Sequence, residues 1–364
     1  MAPRTHRIAL IPGDGIGPEV IDAAMVVLRQ AGRAFGFTLD AHTLPWSCDH
    51  YLVHGRMMPD DGIETLRRFD AILLGAVGWP KRVPDAVSLH GLLLPIRKAF
   101  DLYVNARPHR LLPGVRGPLR AGVFDILCIR ENTEGEYSGA GGRVHVGTPD
   151  EVAVETSIFT RRGVERILRY GFEQARLRRG RLASVTKSNA QKHSMVFWDE
   201  VTDQVARDYP DVTVSRYHID AIAARFVLQP ESLDVVVASN LFGDILTDLG
   251  AAIQGGLGFA PSGNINPAGG VPSLFEPVHG SAPDIAGQGL ANPIAAIWSG
   301  AMMLDHLGER EAAAATLAAI SAVTGTGEAA TPDQGGAAST DEVARAVAAH
   351  LVPTEQSIAE GTYR

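Results

Sequence analysis

The chain has only two cysteines, Cys48 and Cys128, far apart and outside any paired motif. That excludes a disulfide framework and a cysteine zinc site, and points to a reducing compartment, the cytoplasm. Cys128, in the run FDILCI, reads as a small buried hydrophobe. Positive charge is also short. With 33 Lys and Arg against 41 Asp and Glu, the net charge of −8 argues against a nucleic-acid surface. The one basic run, RLRRGR at 176–181, is expected to close a helix and face solvent. No apolar stretch is long enough to span a bilayer, and the start, MAPRTHRIALIPG, carries no signal-peptide core, so no membrane partner is expected. A dinucleotide fingerprint is missing as well. In IPGDGIGPEV (11–20), Gly13 and Gly15 require a glycine at 18 and find Pro18, which instead suits the first position of a helix. This is a tight strand-to-helix turn and not a Rossmann loop.

What remains is ordinary for a soluble globular protein: 45% apolar and 20% charged residues over 364 positions, enough for about two domains. Short β-type runs alternate with helical periodicity. Strands are expected at 7–11, 69–75, 121–129, 181–187, 212–217 and 233–239. Between them, Val164, Ile167, Leu168, Phe172 and Ala175 fall on one helical face. The pattern implies an α/β fold with a largely parallel sheet covered on both sides. The Gly-rich, alternating stretch at about 138–156 reads as a β-hairpin arm able to pair with a partner chain. Ser339 and Glu342 form a capping box that opens a last amphipathic helix.

Several polar residues sit where α/β sites form, outside the carboxyl ends of strands. Arg97 and Arg107 lie in LLPIRKAFDLYVNARP, and Arg130 ends one strand and opens RENTEGEY. Arginine forks suit carboxylates, although for any one of the three ordinary ion pairing explains as much. Tyr137 and Lys187 also lie near strand ends. Partial burial would move Lys187 toward a general base; the alternative is a lysine reaching solvent. Asp244 and Asp248, in SNLFGDILTD, share a helical face, where like charges repel by a few tenths of a kcal/mol. Either that face is solvated or a cation offsets them. With Asp220 as a third member, oxygen-only ligands suit Mg²⁺ or Mn²⁺. In FEPVHGSAPDIAGQGLANP (275–293), Asp284 could accept ribose hydroxyls.

Taken together these stretches resemble the β-decarboxylating dehydrogenases, the isopropylmalate and isocitrate dehydrogenase family. IPGDGIGPEV, the arginine segment, RENTEGEY, TKSN, SNLFGDILTD, HGSAPDIAG and TPDQGG stand in the family's order. Within it, SCDHYLVHGRMMPDDG (47–62), VSLHGLLLPIR (87–97), FAPSGNINP (259–267) and IWSGAMMLDHLG (297–308) are most similar to the tartrate/D-malate dehydrogenase branch. The resemblance implies two α/β domains sharing a long mixed sheet. Residues 1–103 plus 257–364 would form the cofactor-binding domain. Residues 104–256 would form the dimerisation and metal/substrate domain.

It also implies roles. Arg97, Arg107 and Arg130 would hold substrate carboxylates, and Asp220, Asp244 and Asp248 would ligate Mg²⁺ or Mn²⁺, with K⁺ a further candidate ion. Lys187 would assist deprotonation of the C2 hydroxyl and Tyr137 would protonate C3. Lys187 and Asp220 would reach the site of a second copy, making the active unit at least a homodimer. His279, Gly280, Ser281, Ala282, Asp284, Ile285 and Asn292 would bind the cofactor, and Asp284 followed by Ile285 matches NAD-using members. The implied substrate is a small 2-hydroxy dicarboxylic acid, D-malate (giving pyruvate and CO₂) or tartrate. 3-Isopropylmalate, a lyase acting without net redox, and a non-catalytic regulatory subunit are the alternatives. His90 departs from every branch: isopropylmalate enzymes carry glutamate there, isocitrate enzymes a serine close by, and tartrate/malate relatives tryptophan. A histidine would make a pocket more polar or pH-sensitive, or would merely line its wall.

Overall fold

The structure is a computed structural model and describes residues 4–119 and 123–351. Its strands are, in chain order, β1 (Arg4–Gly13), β2 (Phe37–Thr43), β3 (Ala71–Ala76), β4 (Val104–Arg110), β5 (Asp125–Glu131), β6 (Gly135–Val144), β7 (Val152–Ile158), β8 (Arg181–Thr186), β9 (Thr213–His218), β10 (Val235–Ala238), β11 (Pro261–Ile265) and β12 (Ser273–Pro277). The chain folds as two compact units. One gathers the described residues up to Leu102, Leu111–Pro118 and those from Ala251 onward; the other takes Tyr103–Arg110 and the described residues within 119–250. Residues 111–118, inside the segment expected to form the second domain, therefore pack with the first unit.

In the first unit the strand order is β2-β1-β3-β12-β11. All neighbours are parallel except the β11–β12 pair. β3 is buried along its whole length, as a central parallel strand must be when both faces are covered. On one face lie the helices Gly17–Phe35 and Ile294–His306. The first buries Val20, Ile21, Ala24, Leu28 and Ala31, and the second is buried on nearly every side. Pro18 stands in the first turn of its helix, as its fixed φ favours. Ser339 and Glu342 make both bonds of the capping box at Thr340–Ala349.

The second unit orders its strands β4-β5-β10-β8-β9, with β4–β5 antiparallel and the rest parallel. The apolar run at 233–239 becomes β10, four residues buried throughout. The helix Arg161–Leu177 buries the predicted face, and Gly171 lets it approach Val237 closely: a Cβ there would stand 2.3 Å from a Val237 methyl. β6 and β7 form the expected hairpin, with Val144, Val152 and Val154 exposed.

The basic run at 176–181 does not simply face solvent. Asp234 is buried beneath it, accepting from Arg178 Nε at 2.8 Å and the Arg179 amide at 3.0 Å, and Arg178 also reaches Asp125 at 2.9 Å. A buried carboxylate is tolerated only with such partners, so the run's position is set by an acid some fifty residues away. Cys128 is buried, and desolvation pushes its thiol up to about 12. Among the described residues no helix is long and apolar enough to cross a membrane.

Candidate active site

The helix Asn240–Ile253 begins directly after β10, at the strand's carboxyl end. It crosses closely over β5 because residue 243 is glycine; a Cβ there would lie 2.7 Å from Arg130 carbons. Gly250 does the same over the His109 ring on β4. These two close approaches bring the acids of the helix down onto the arginines of the strands.

Arg130 is the centre of the group. Its side chain is 4% exposed, and Nη1 donates to Asp244 Oδ1. Nε and Nη2 both donate to Asn240 Oδ1, at 3.0 and 2.8 Å. Arg107 on β4 donates to Thr247 Oγ1 at 2.6 Å and stands 3.8 Å from Asp244. Tyr137 donates its hydroxyl to the other Asp244 oxygen at 3.1 Å, and its ring lies 5.5 Å from the Arg130 guanidinium. The repulsion expected between Asp244 and Asp248 is thus offset within the chain by two arginines. Asp248 still feels it. Partial enclosure of its carboxyl raises the pKa most, Arg107 and Arg130 pull it down, and Asp244 pushes it up, leaving it above the ordinary carboxylate range. Burial and the Asp244 charge likewise raise the Tyr137 pKa, so the phenol holds its proton.

Lys187 and Asp220 form a separate pair, Nζ to Oδ1 at 2.5 Å, at the carboxyl ends of β8 and β9. That bond lowers the pKa of the exposed Asp220. Among the described residues no three His, Cys, Asp or Glu side chains are grouped to hold a metal ion. One chain therefore brings together Asp244 and Asp248 with Arg107, Arg130 and Tyr137, while Asp220 joins Lys187.

The first unit carries the other candidates. Arg97 is buried and donates to Glu276 Oε1 at 2.8 Å; the same oxygen accepts from Asn264 Nδ2 at 2.8 Å. His90 is exposed, on a single π-helical turn over Leu89–Leu93. Such turns recur at functional sites.

The loop after β12 is built against the N-terminal turn. Ser281 donates through Oγ to the Gly78 carbonyl, and its own carbonyl accepts from the Ile16 amide at 2.8 Å. Gly15, at φ 59°, has no room for a Cβ, which would stand 1.9 Å from the Ser281 oxygen. Buried Asp14 ties the same corner, accepting from the Cys48 amide at 2.8 Å and the Gly78 amide at 2.9 Å. Ala282 takes the left-handed φ of 37°. His279 donates Nδ1–H to the Gly280 carbonyl at 3.0 Å, and desolvation lowers its pKa, which keeps the ring neutral. Asp284 is exposed, and Ile285 packs on the core. Asn292 is committed to the scaffold, accepting from the Ile294 amide at 3.0 Å and donating to Asp333 at 3.1 Å.

Sequence reasoning passed over Asp14, Asn240, Glu136 and Glu276. Each stands inside a motif already singled out, so the signal was a polar residue without a role in a dense motif.

The sequence matches the isocitrate/isopropylmalate dehydrogenase family over residues 7–347. The chain belongs to that family. A Bacillus subtilis (strain 168) protein named probable tartrate dehydrogenase/decarboxylase is 53% identical, over 96% of this chain and 99% of its own. The D-malate dehydrogenase [decarboxylating] of Escherichia coli (strain K12) is 56% identical, over 94% and 98%. The crystal structure of isocitrate dehydrogenase from Methylococcus capsulatus superposes with a TM-score of 0.85 at 35% identity, covering 95% of this chain and 99% of that one. The fold is that of the family, and the chain is a dehydrogenase of it. Both of these named dehydrogenases lie in the tartrate/D-malate branch.

Proposed function

We propose that this dehydrogenase carries out the NAD- and divalent-metal-dependent oxidative decarboxylation of a 2-hydroxy dicarboxylic acid, D-malate (to pyruvate and CO₂) or tartrate. The observation that carries the reading is the grouping of Arg107, Arg130, Tyr137, Asp244 and Asp248 on one helix and three strands. Two guanidinium forks suit a substrate carboxylate. Paired carboxylates, one with a raised pKa, suit a hard divalent cation, which displaces protons and relieves their repulsion. Asp220 would complete the ligand set from a second copy, together with Lys187. A homodimer joined partly through the β6–β7 hairpin follows from that, and the exposed valines of the hairpin support it.

When bound, a divalent cation held by the aspartates would supply positive charge beside the substrate oxygen where negative charge develops, and NAD would supply the hydride acceptor. The chain's own residues do the rest. Arg130 and Arg107 orient the substrate carboxylates. Lys187 assists deprotonation of the C2 hydroxyl. Tyr137, a protonated phenol whose enclosure and Asp244 neighbour disfavour its ionisation, delivers a proton to C3 after CO₂ leaves. The 279–285 loop accommodates the dinucleotide, with Asp284 accepting from the ribose hydroxyls. The presence of every acid, base and arginine the reaction needs counts against a regulatory subunit. We place the enzyme in the cytoplasm.

The test is NADH formation with Mn²⁺ on D-malate, L-tartrate, meso-tartrate, 3-isopropylmalate and isocitrate. D-malate or tartrate is expected to give the highest kcat/KM. Preference for 3-isopropylmalate or isocitrate overturns the substrate assignment, and turnover of none overturns the catalytic one.

A further inference from the structure

Glu136 precedes Tyr137 on β6 and belongs to neither charged group described above. Its carboxylate reaches the start of the helix Asn240–Ile253. Oε1 accepts from Ser239 Oγ at 2.8 Å, and Oε2 accepts from the Leu241 backbone N–H at 3.1 Å. By its backbone Ser239 is the residue that caps this helix, since its carbonyl takes an early intrahelical bond from the Gly243 amide at 2.8 Å. A capping serine ordinarily turns its own oxygen onto one of the first free amides. Here the serine hydroxyl donates away from the helix, and Glu136 takes over the Leu241 amide. The charge has the sign that a helix N-terminus favours. The adjoining residue adds a second tie: Asn240 Nδ2 donates to the Glu134 carbonyl at 3.1 Å, while its Oδ1 grips Arg130. The strand that carries Tyr137 is thereby fastened to the first turn of the helix that carries Asp244.

We propose that Glu136 is a positioning residue, a cap supplied from outside the helix that fixes Asp244 and Asp248 in place relative to Arg130 and Tyr137. It touches no reacting atom. It acts through the first turn, and it matters to function because a small rotation of that turn moves both acids together. This rests on the reading of Asp244 and Asp248 as cation ligands given above. Groups that hold ligands in orientation are worth roughly ten- to a hundredfold in metal affinity.

The test uses the full chain stripped of metal, unsubstituted and as Glu136→Ala and Glu136→Gln. Two quantities are read: hydrogen exchange over 239–249, and Mn²⁺ affinity by electron paramagnetic resonance of the free ion. In Glu136→Ala the exchange of that segment is expected to rise while the first unit is unaffected, and Mn²⁺ is expected to bind about tenfold more weakly. Glu136→Gln keeps an acceptor for the Leu241 amide and is expected to recover most of both, so the proposal stands on this variant if the alanine variant fails to fold. Faster exchange with unchanged Mn²⁺ affinity reduces Glu136 to an ordinary structural cap and overturns the proposal, as does no change in either quantity. Absence of Mn²⁺ binding in the unsubstituted chain sinks the cation-site reading, and the proposal with it; equal affinity in all three proteins sinks the proposal alone.

Discussion

Asn240 holds Arg130 with a single oxygen: Oδ1 accepts from both Nε and Nη2, at 3.0 and 2.8 Å, and so fixes the plane of a guanidinium that is 4% exposed. The remaining fork nitrogen, Nη1, is left for Asp244. An arginine this buried keeps its orientation only while its donors are met. Replacing Asn240 with leucine, close in shape, takes that acceptor away from both. Asn240→Leu is expected to lose about 2–3 kcal/mol of stability, read from urea midpoints, and to raise KM for the hydroxy acid. An unchanged midpoint would show that water replaces the amide at no penalty.

Asp244 is the acid that Arg130, Arg107 and Tyr137 all share. Asp244→Asn keeps the volume and one acceptor but removes the charge. On the proposed mechanism it reduces kcat/KM on the order of a hundredfold, since a metal ion contributes several kcal/mol of transition-state stabilisation. The circular dichroism spectrum should be retained. Full activity of the variant at low Mn²⁺ would remove the metal site from this helix.

Glu276 meets Arg97 in the interior of the first unit, the two side chains 8% and 9% exposed. Removing one member of a buried pair leaves the other charge uncompensated, a loss of about 3–5 kcal/mol. Glu276→Ala should show it in chemical denaturation. Glu276→Gln, which preserves an acceptor for Arg97 and Asn264, should recover part. If the alanine variant is as stable as the parent, Arg97 is solvated better than its burial implies.

The first and third of these predictions rest on pairs that the sequence did not join. Asn240 and Arg130 are 110 residues apart, and Arg97 and Glu276 are 179 apart. The motifs marked candidate residues, because acids, arginines and glycines crowd there against the apolar background. Which partner each residue takes is decided by strand order, and strand order is non-local. The same divide runs through the fold. The buried run of β10, the face of the helix Arg161–Leu177 and the capping box at Ser339 were legible because each depends on near neighbours. β11, PSGNI, was not: proline, glycine and asparagine disfavour strands, and only pairing with β12 makes one of it. The basic run at 176–181 looked solvated because buried Asp234, which orders it, comes far later in the chain.

Asp248 gives a prediction of opposite sign for stability and for function. Its pKa is raised above the unfolded value, chiefly by partial enclosure, with Asp244 adding to it against the pull of Arg107 and Arg130. The native state then binds the proton more tightly than the unfolded one, and stability falls as pH rises through that window. Without metal, Asp248→Asn should therefore melt at a higher temperature than the parent at pH 7. The two should converge as pH drops below the ordinary carboxylate range, where the aspartate is protonated in both states. Activity should be lost. A variant less stable than the parent at pH 7 would mean that the arginines outweigh the enclosure.

Asp284 lies exposed on the loop after β12, with its backbone carbonyl held by the Gln288 amide at 2.8 Å. Exposure means that the side chain can be exchanged without disturbing the core, while Ile285 beside it stays packed and keeps the loop in place. If the carboxylate accepts the ribose hydroxyls of NAD, its loss removes hydrogen bonds to a charged group, worth about 1.5–3 kcal/mol and so at least a tenfold rise in KM for NAD. Asp284→Lys should show that rise with little change in melting temperature, and its positive charge should narrow the preference over a cofactor bearing a 2′-phosphate. An unaltered KM for NAD would place the ribose elsewhere on the chain, and a loss of stability as large as that expected for Glu276→Ala would make Asp284 a part of the scaffold and not of the cofactor site.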